Sequence, residues 1–211
     1  LRNKAKLTVK DVYETASKLF STYGYASTSL QDIADAMGVT RPALYHHFRS
    51  KEDILSKLCE EFSEPRALQY AEIFKDPALN PIEKLRKAIA GSVRITAEHP
   101  ERFRLLDRCE NELPEHLRKR HWAAKRAILH GVIAMLTEGM KSGHFRPLDP
   151  QVTAFGLIGM TTWIAWWFSP EAHNIENTIQ SLTDLAIRGI VAGDLVSIAT
   201  ANPGGEIAEM R

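Results

Sequence analysis

Cysteine is scarce in this chain. Cys59 and Cys109 are the only two among 211 residues, and no C-x-x-C pair occurs. That excludes a disulfide scaffold and makes the reducing cytoplasm the expected compartment. No glycine-rich phosphate loop and no nucleophile motif is present, so no catalytic residue and no cofactor is expected and an enzyme is the poorest of the candidate functions. Glu112, His116 and His121 come nearest to a metal-ligand set. Steps of four and then five residues do not bring them to one face of a helix, so no metal site is expected either. Sustained two-residue alternation, the mark of a half-buried strand, is missing throughout. The chain opens on Leu1 instead of a methionine, so its true start is expected upstream.

Charge is also missing, but only locally. Twenty-seven Lys and Arg against 26 Asp and Glu leave a net charge of +1. Hydrophobic residues make up 44% and charged residues 25%, ordinary proportions for a globular chain. Between Gly38 and Lys51 there is no acid, while Arg41, Arg49 and Lys51 accompany His46 and His47. Arg2, Lys4, Lys6 and Lys10 precede the first acid, Asp11, and form a basic arm. From Pro150 to Pro170 no charge of either sign occurs. A membrane span needs about 20 predominantly apolar residues. This run approaches that length and keeps a membrane-anchored helical protein open as a rival, although a helix buried in protein is the preferred reading.

What the chain does contain is helix after helix, so the fold class is all-α. Val12, Ala16, Leu19 and Phe20 mark one helical face, which Gly24 ends. Leu30, Ile33, Ala34 and Met37 mark a second, stopped by Gly38. A third starts near Thr40 with Pro42 in its first turn, and Ser50 caps a fourth, which Pro65 is expected to kink or end. Beyond it, prolines at 81, 100, 114 and 150, each with an acid or glutamine next or nearly next, open successive longer helices. The last helix starts at Asn174 or Asn177. The predicted division is a helix-turn-helix domain over residues 1–62, a helical ligand-binding and dimerisation domain over 63–193, and a disordered tail over 194–211.

The sharpest local signal lies between Thr28 and Lys51. Two short helices joined through Met37-Gly38-Val39-Thr40 have the spacing of a helix-turn-helix. Leu30, Ile33, Met37, Val39, Leu44 and Phe48 would form its small core. Arg41 and Ala43 fall at the start of the third helix, where a recognition helix meets base edges, and arginine can pair with guanine through two bonds. Tyr45 and His47 suit phosphates. Lys51, at the start of the next helix, is placed to attract an anion.

In the same register, Phe20, Gly24-Tyr25, Thr28-Ser29-Leu30, Asp32-Ile33-Ala34, Met37-Gly38-Val39-Thr40, Ala43-Leu44-Tyr45, His47-Phe48, Lys51-Glu52 and Ile54-Leu55 resemble the TetR family of bacterial transcriptional regulators. The resemblance implies a homodimeric repressor on a palindromic double-stranded DNA operator, released by a small hydrophobic ligand in the C-terminal body. By position it implies base contacts from Arg41, Ala43, His46 and Gln31. It implies phosphate contacts from Thr28, Ser29, Thr40, Tyr45, His47 and Lys51. The dimer interface falls on the last two helices, with Trp166, Ile187 and Ile190.

Thr162-Trp163, Trp166-Trp167-Phe168, Pro170 and Ile187-Arg188-Gly189-Ile190 are similar to the C-terminal end of family members that govern fatty-acid and sterol catabolism. Those respond to acyl-CoA thioesters. The chain departs from them at Glu171-Ala172-His173, where glycine is more usual. The pocket this implies is walled by Phe103, Leu106, Trp122, Arg126, Phe155, Met160 and Trp163. A DNA-binding protein without an effector is a further rival.

Overall fold

A computed structural model describes residues 8–191; the basic positions Arg2, Lys4 and Lys6 and the tail from 194 lie outside them. Helix α1 (Val9–Tyr23) starts at a reciprocal cap, in which the Thr8 hydroxyl accepts from the Asp11 backbone and the Asp11 carboxylate accepts from Thr8. It ends at Gly24, whose positive φ of 84° is one an L side chain avoids. Helices α2 (Leu30–Met37), α3 (Arg41–Tyr45) and α4 (Lys51–Leu58) follow as three short pieces. The turn between α2 and α3 hinges on Gly38 in the left-handed region at φ 65°, and Val39 N–H reaches back to the Ala34 carbonyl at 3.1 Å.

Pro65 does not end the fourth helix. Residues Cys59–Ser63 form a π turn, with Glu64 N–H donating to the Cys59 carbonyl, and α5 (Glu64–Lys75) continues from it. A proline lacks an N–H and presses its ring on the carbonyl one turn earlier, here Glu61. The wider π winding falls on that carbonyl and makes room for the ring.

The body continues with α6 (Pro81–Glu98), α7 (Pro100–Cys109) and, after a short 3-10 turn at Glu110–Glu112, the long α8 (Glu115–Lys141). The uncharged stretch is not one helix. α9 (Pro150–Thr162) stops at Trp163, and α10 (Ile164–Trp167) restarts after it. Among the described residues no helix is long and apolar enough to cross a membrane, so the membrane-anchored reading loses its one support. α11 (Ile175–Ile190) is capped by Asn174. The one extended pairing among the described residues is an isolated bridge between Phe145 and Val191.

Two buried clusters hold these helices. The first gathers Val12, Tyr13 and Ala16 with Ile33, Leu44, Phe48, Ile54 and Leu58, and draws in Phe103, Leu105, Leu106 and Cys109 from α7. The second joins Leu85, Ile89 and Val93 of α6 to Ile128, Val132 and Leu136 of α8, and to Ala154, Ile164, Ala186 and Ile190. The N-terminal helices therefore rest on α7 across the expected boundary at residue 62, and the π turn carries the chain through it.

Candidate nucleic-acid interface and effector cavity

The helix-turn-helix is fixed from inside. Leu44 and Phe48 are fully buried, which turns the other side of α3 and the turn after it to solvent. Arg41, Ala43, Tyr45, His46, His47 and Arg49 lie there, all exposed. The Arg41 guanidinium stands 4.8 Å from the centroid of the Tyr45 ring, a cation–π contact that holds it over one face of the helix. The Thr40 side chain makes no capping bond and stays free. Gln31 is half-buried and donates one amide N–H to the Asp35 carboxylate at 2.7 Å, which leaves its second N–H and its carbonyl oxygen for another partner.

Three of the expected phosphate contacts are occupied otherwise. Thr28 is only 3% exposed, and its hydroxyl donates to the Gly24 carbonyl at 2.9 Å. The Ser29 hydroxyl caps α2 through Asp32, and that exchange holds the Asp32 carboxyl below its ordinary range. The Lys51 ammonium donates to the carbonyls of Tyr25 (2.6 Å), Thr28 (3.0 Å) and Ala26 (3.2 Å) and lies 4.4 Å from the Tyr25 ring. An ammonium has three N–H groups, so none remains for a phosphate. These residues build the loop between α1 and α2; Thr40, Tyr45 and His47 keep their polar groups outward. Arg49 stands with them, although it is not among the expected contacts. It lines an open groove of about 330 Å³ with Ser27, Ser29 and Tyr45, and its backbone N–H is held by Asp53 at 2.9 Å.

The second site is a cavity of about 340 Å³ between the π turn, α5, α7, α8, α9 and α10. Phe62 and Phe103 meet edge to face at 4.9 Å in its wall. Buried Phe62, Ser63, Phe103, Leu106, His121, Ala124 and Ile128 form its inner part, and the exposed Trp122, Lys125, Arg126, Phe155 and Trp166 mark its mouth. Polar groups are few. His121 Nδ1 lies 2.9 Å from the Ser63 hydroxyl, its Nε2 is 3.7 Å from Glu110, and Glu110 accepts from Lys125 at 2.7 Å. Burial first, and the Lys125 charge second, push the His121 pKa down.

Of the expected pocket residues, Phe103, Leu106, Trp122, Arg126 and Phe155 line this cavity and Met160 and Trp163 do not. The break at Trp163 explains the latter: Trp163 is 61% exposed and stacks on Trp166 at 5.3 Å, while Met160 packs on the body core. Trp166, expected at the dimer interface, lines the cavity mouth. Ile190, expected beside it, is 6% exposed, and both it and the half-buried Ile187 pack in the body core.

The large apolar groups left outward on the last helices, away from the cavity, are Val152, Trp163, Trp167 and Leu185. Gly156, Gly159 and Gly189 accompany them, with nothing within 4 Å of where a Cβ would stand. An apolar helix has no stripe to say which side faces in, so the sequence could not make this choice.

Neither cysteine is a nucleophile. Both are buried, and burial raises their thiols to about 11. Among the described residues no group of three His, Cys, Asp or Glu could hold a metal.

Two family models match the chain. Residues 12–58 match the model of bacterial regulatory proteins of the tetR family, and residues 78–190 match the tetracyclin repressor-like C-terminal domain. The HTH-type transcriptional repressor KstR2 of Mycobacterium tuberculosis is 28% identical over 163 residues, covering 76% of this chain and 80% of that one. The crystal structure of the TetR family regulator PfmR from Thermus thermophilus superposes with a TM-score of 0.69 at 28% identity, over 90% of this chain and all of that one. That of AibR in complex with isovaleryl coenzyme A and operator DNA superposes with a TM-score of 0.63 at 26% identity, over 84% and 96%.

Proposed function

Because the chain belongs to the TetR family of bacterial transcriptional regulators, we propose that it is a homodimeric operator-binding repressor which a small apolar effector releases from DNA. Residues 1–62 read DNA, and 63–193 hold the effector and the dimer contact. One observation carries the reading: the cavity wall includes Phe62 and Ser63 of the π turn, and that turn runs without interruption into α4 of the DNA-reading unit. A ligand in the body therefore touches the segment that positions the helix-turn-helix.

Arg41, Ala43 and His46 reach base edges, with the free amide groups of Gln31 beside them. Thr40, Tyr45, His47 and Arg49 hold phosphates. The apolar face of Val152, Gly156 and Gly159 on α9 and Trp163 just after it, with Leu185 and Gly189 on α11, meets its copy in a second chain. The small residues let the helices approach closely. The effector class is an acyl-CoA, a reading supported by the AibR complex with isovaleryl coenzyme A. Its acyl part fills the cavity and its phosphates lie outside, near Lys125 and Arg126. Such a protein works in the cytoplasm, where the chromosome is.

Selection from a random duplex library tests the proposal, followed by release with acyl-CoAs of increasing chain length. Two half-sites one helical turn apart, about 34–36 Å, are expected. At least one thioester should dissociate the complex and raise the melting temperature of the free protein. Failure to enrich any sequence defeats the operator reading; enrichment without release by any ligand favours a DNA-binding protein without an effector.

A further inference from the structure

Arg66 is a half-buried cation that no acid among the described residues pairs with. It follows Pro65 at the start of α5 and lines the cavity. Its guanidinium carbon lies 4.7 Å from the Phe103 ring centroid and 5.7 Å from that of Tyr70. Its one polar bond is long, 3.5 Å from Nη2 to the Ser92 hydroxyl. Nε is closed to solvent and has no hydrogen-bond partner. None of the ion pairs among the described residues includes Arg66. Of the two acids on the cavity wall, Glu110 is engaged by Lys125, and Asp107 is exposed.

Partly desolvating a charge without an acid partner is costly, and the rings of Phe103 and Tyr70 leave most of its N–H groups unused. A planar fork of N–H donors matches a carboxylate through two parallel bonds. The geometry points to an effector that is a carboxylate with an apolar body, bound with the carboxylate inward on Arg66 and the body running out past Phe103 toward Trp122, Phe155 and Trp166. The inference rests on the reading of this cavity as the effector site. Two sources supply that chemistry: a free apolar acid, and an acyl thioester with a second carboxylate at its far end.

Calorimetric titration of the full chain with two matched pairs separates them. Octanoate is compared with octan-1-ol, and suberyl-CoA, which ends in a carboxylate, with octanoyl-CoA. In at least one pair the member with the free carboxylate should bind at least tenfold tighter. Arg66→Met should bring that ratio close to one while the unliganded variant melts no lower than the native protein, because an apolar side chain of similar length replaces an unpaired charge. Arg66→Lys keeps the charge without the fork; it should show a reduced ratio, and it serves alone if the methionine variant does not fold.

Equal affinities within both pairs, or a ratio unchanged by either substitution, overturn the inference. If the two thioesters bind equally and the octanoate pair is flat, the inner carboxylate fails and the thioester effector stands. If only the octanoate pair discriminates and neither thioester binds, the thioester reading fails and the carboxylate stands. If none of the four binds, both fail.

Discussion

Lys51 and Arg41 are two cations from one acid-free segment, and their surroundings give them different work. Lys51 spends its three N–H groups on the carbonyls of residues 25, 26 and 28. Lys51→Met should cost about 1–3 kcal/mol of stability, the range for losing bonds to a charged group, read as a lower urea midpoint. The salt dependence of DNA binding should stay unchanged, because no counterion-displacing contact is removed. A shallower salt slope with native stability would show that Lys51 holds a phosphate. Arg41 faces outward over Tyr45. Arg41→Ala should lose about 1–3 kcal/mol on the selected operator and far less on random duplex. Equal losses on both would rule out base reading.

The sequence showed that both residues were cationic and in one acid-free segment. It could not show which of them the α1–α2 loop would consume, because those carbonyls lie more than twenty residues away. Histidine burial was equally hidden. His121 and His99 both have lowered pKa values, burial being the first cause in each. A folded-state value below the unfolded one, about 6.5, means stability that is present above pH 6.5 and lost as pH falls below it. The carboxylates that are held low, Asp32, Glu52 and Glu171, lose their share only in more acidic solution. The melting temperature should therefore drop between pH 6.5 and 5, and His121→Gln should flatten the drop; an unchanged slope in that variant would falsify the assignment to His121.

At the scale of elements, the starts and stops were legible and the continuity was not. Thr8, Ser29, Ser50, Asn80, Asp149 and Asn174 each cap a helix with a side chain, and such caps are local chemistry that a sequence displays directly. Pro65 and the run from Pro150 to Pro170 show this from opposite sides. Pro65 signals a break, but a π turn absorbs it. The apolar run signals one long helix, but it divides at Trp163, with Trp166 on the cavity and Trp163 on the surface. Close approach was also invisible. A Cβ at Gly139 on α8 would lie 2.0 Å from the Phe145 ring. Phe145 is itself buried and bridges to Val191, and the next residue, Arg146, donates its N–H to the Ile190 carbonyl. The ring has no free space to yield, so Gly139→Ala should destabilise by about 1–3 kcal/mol. Thermal melts that match the native protein would mean that Phe145 and the end of α11 move at little cost.

For the whole molecule, the segregation of charge was the legible part. A basic, acid-free face lies at one end and an uncharged stretch at the other, and the folded chain keeps them on the helix-turn-helix and on α9–α10. The residues that would face a partner copy were not legible, since Ile190 turned inward and Leu185, 63% exposed, turned outward. Leu185→Arg places a charge at the centre of that face. It should yield monomers in sedimentation and lower operator affinity by more than tenfold while leaving the monomer's helicity intact; dimers that persist would move the interface elsewhere. The π turn has a mechanical meaning at this scale. From Ser63 back to Lys51 the helix spans about 18 Å at 1.5 Å per residue. Lys51 is tied to the loop before α2. Taken as a rod pivoting at Ser63, a tilt of about 5° sweeps its far end through about 1.5 Å. In a two-fold assembly both arms swing together and the reading heads part by twice that, so an ångström-scale disturbance beside the pivot becomes a mismatch with the fixed pitch of DNA.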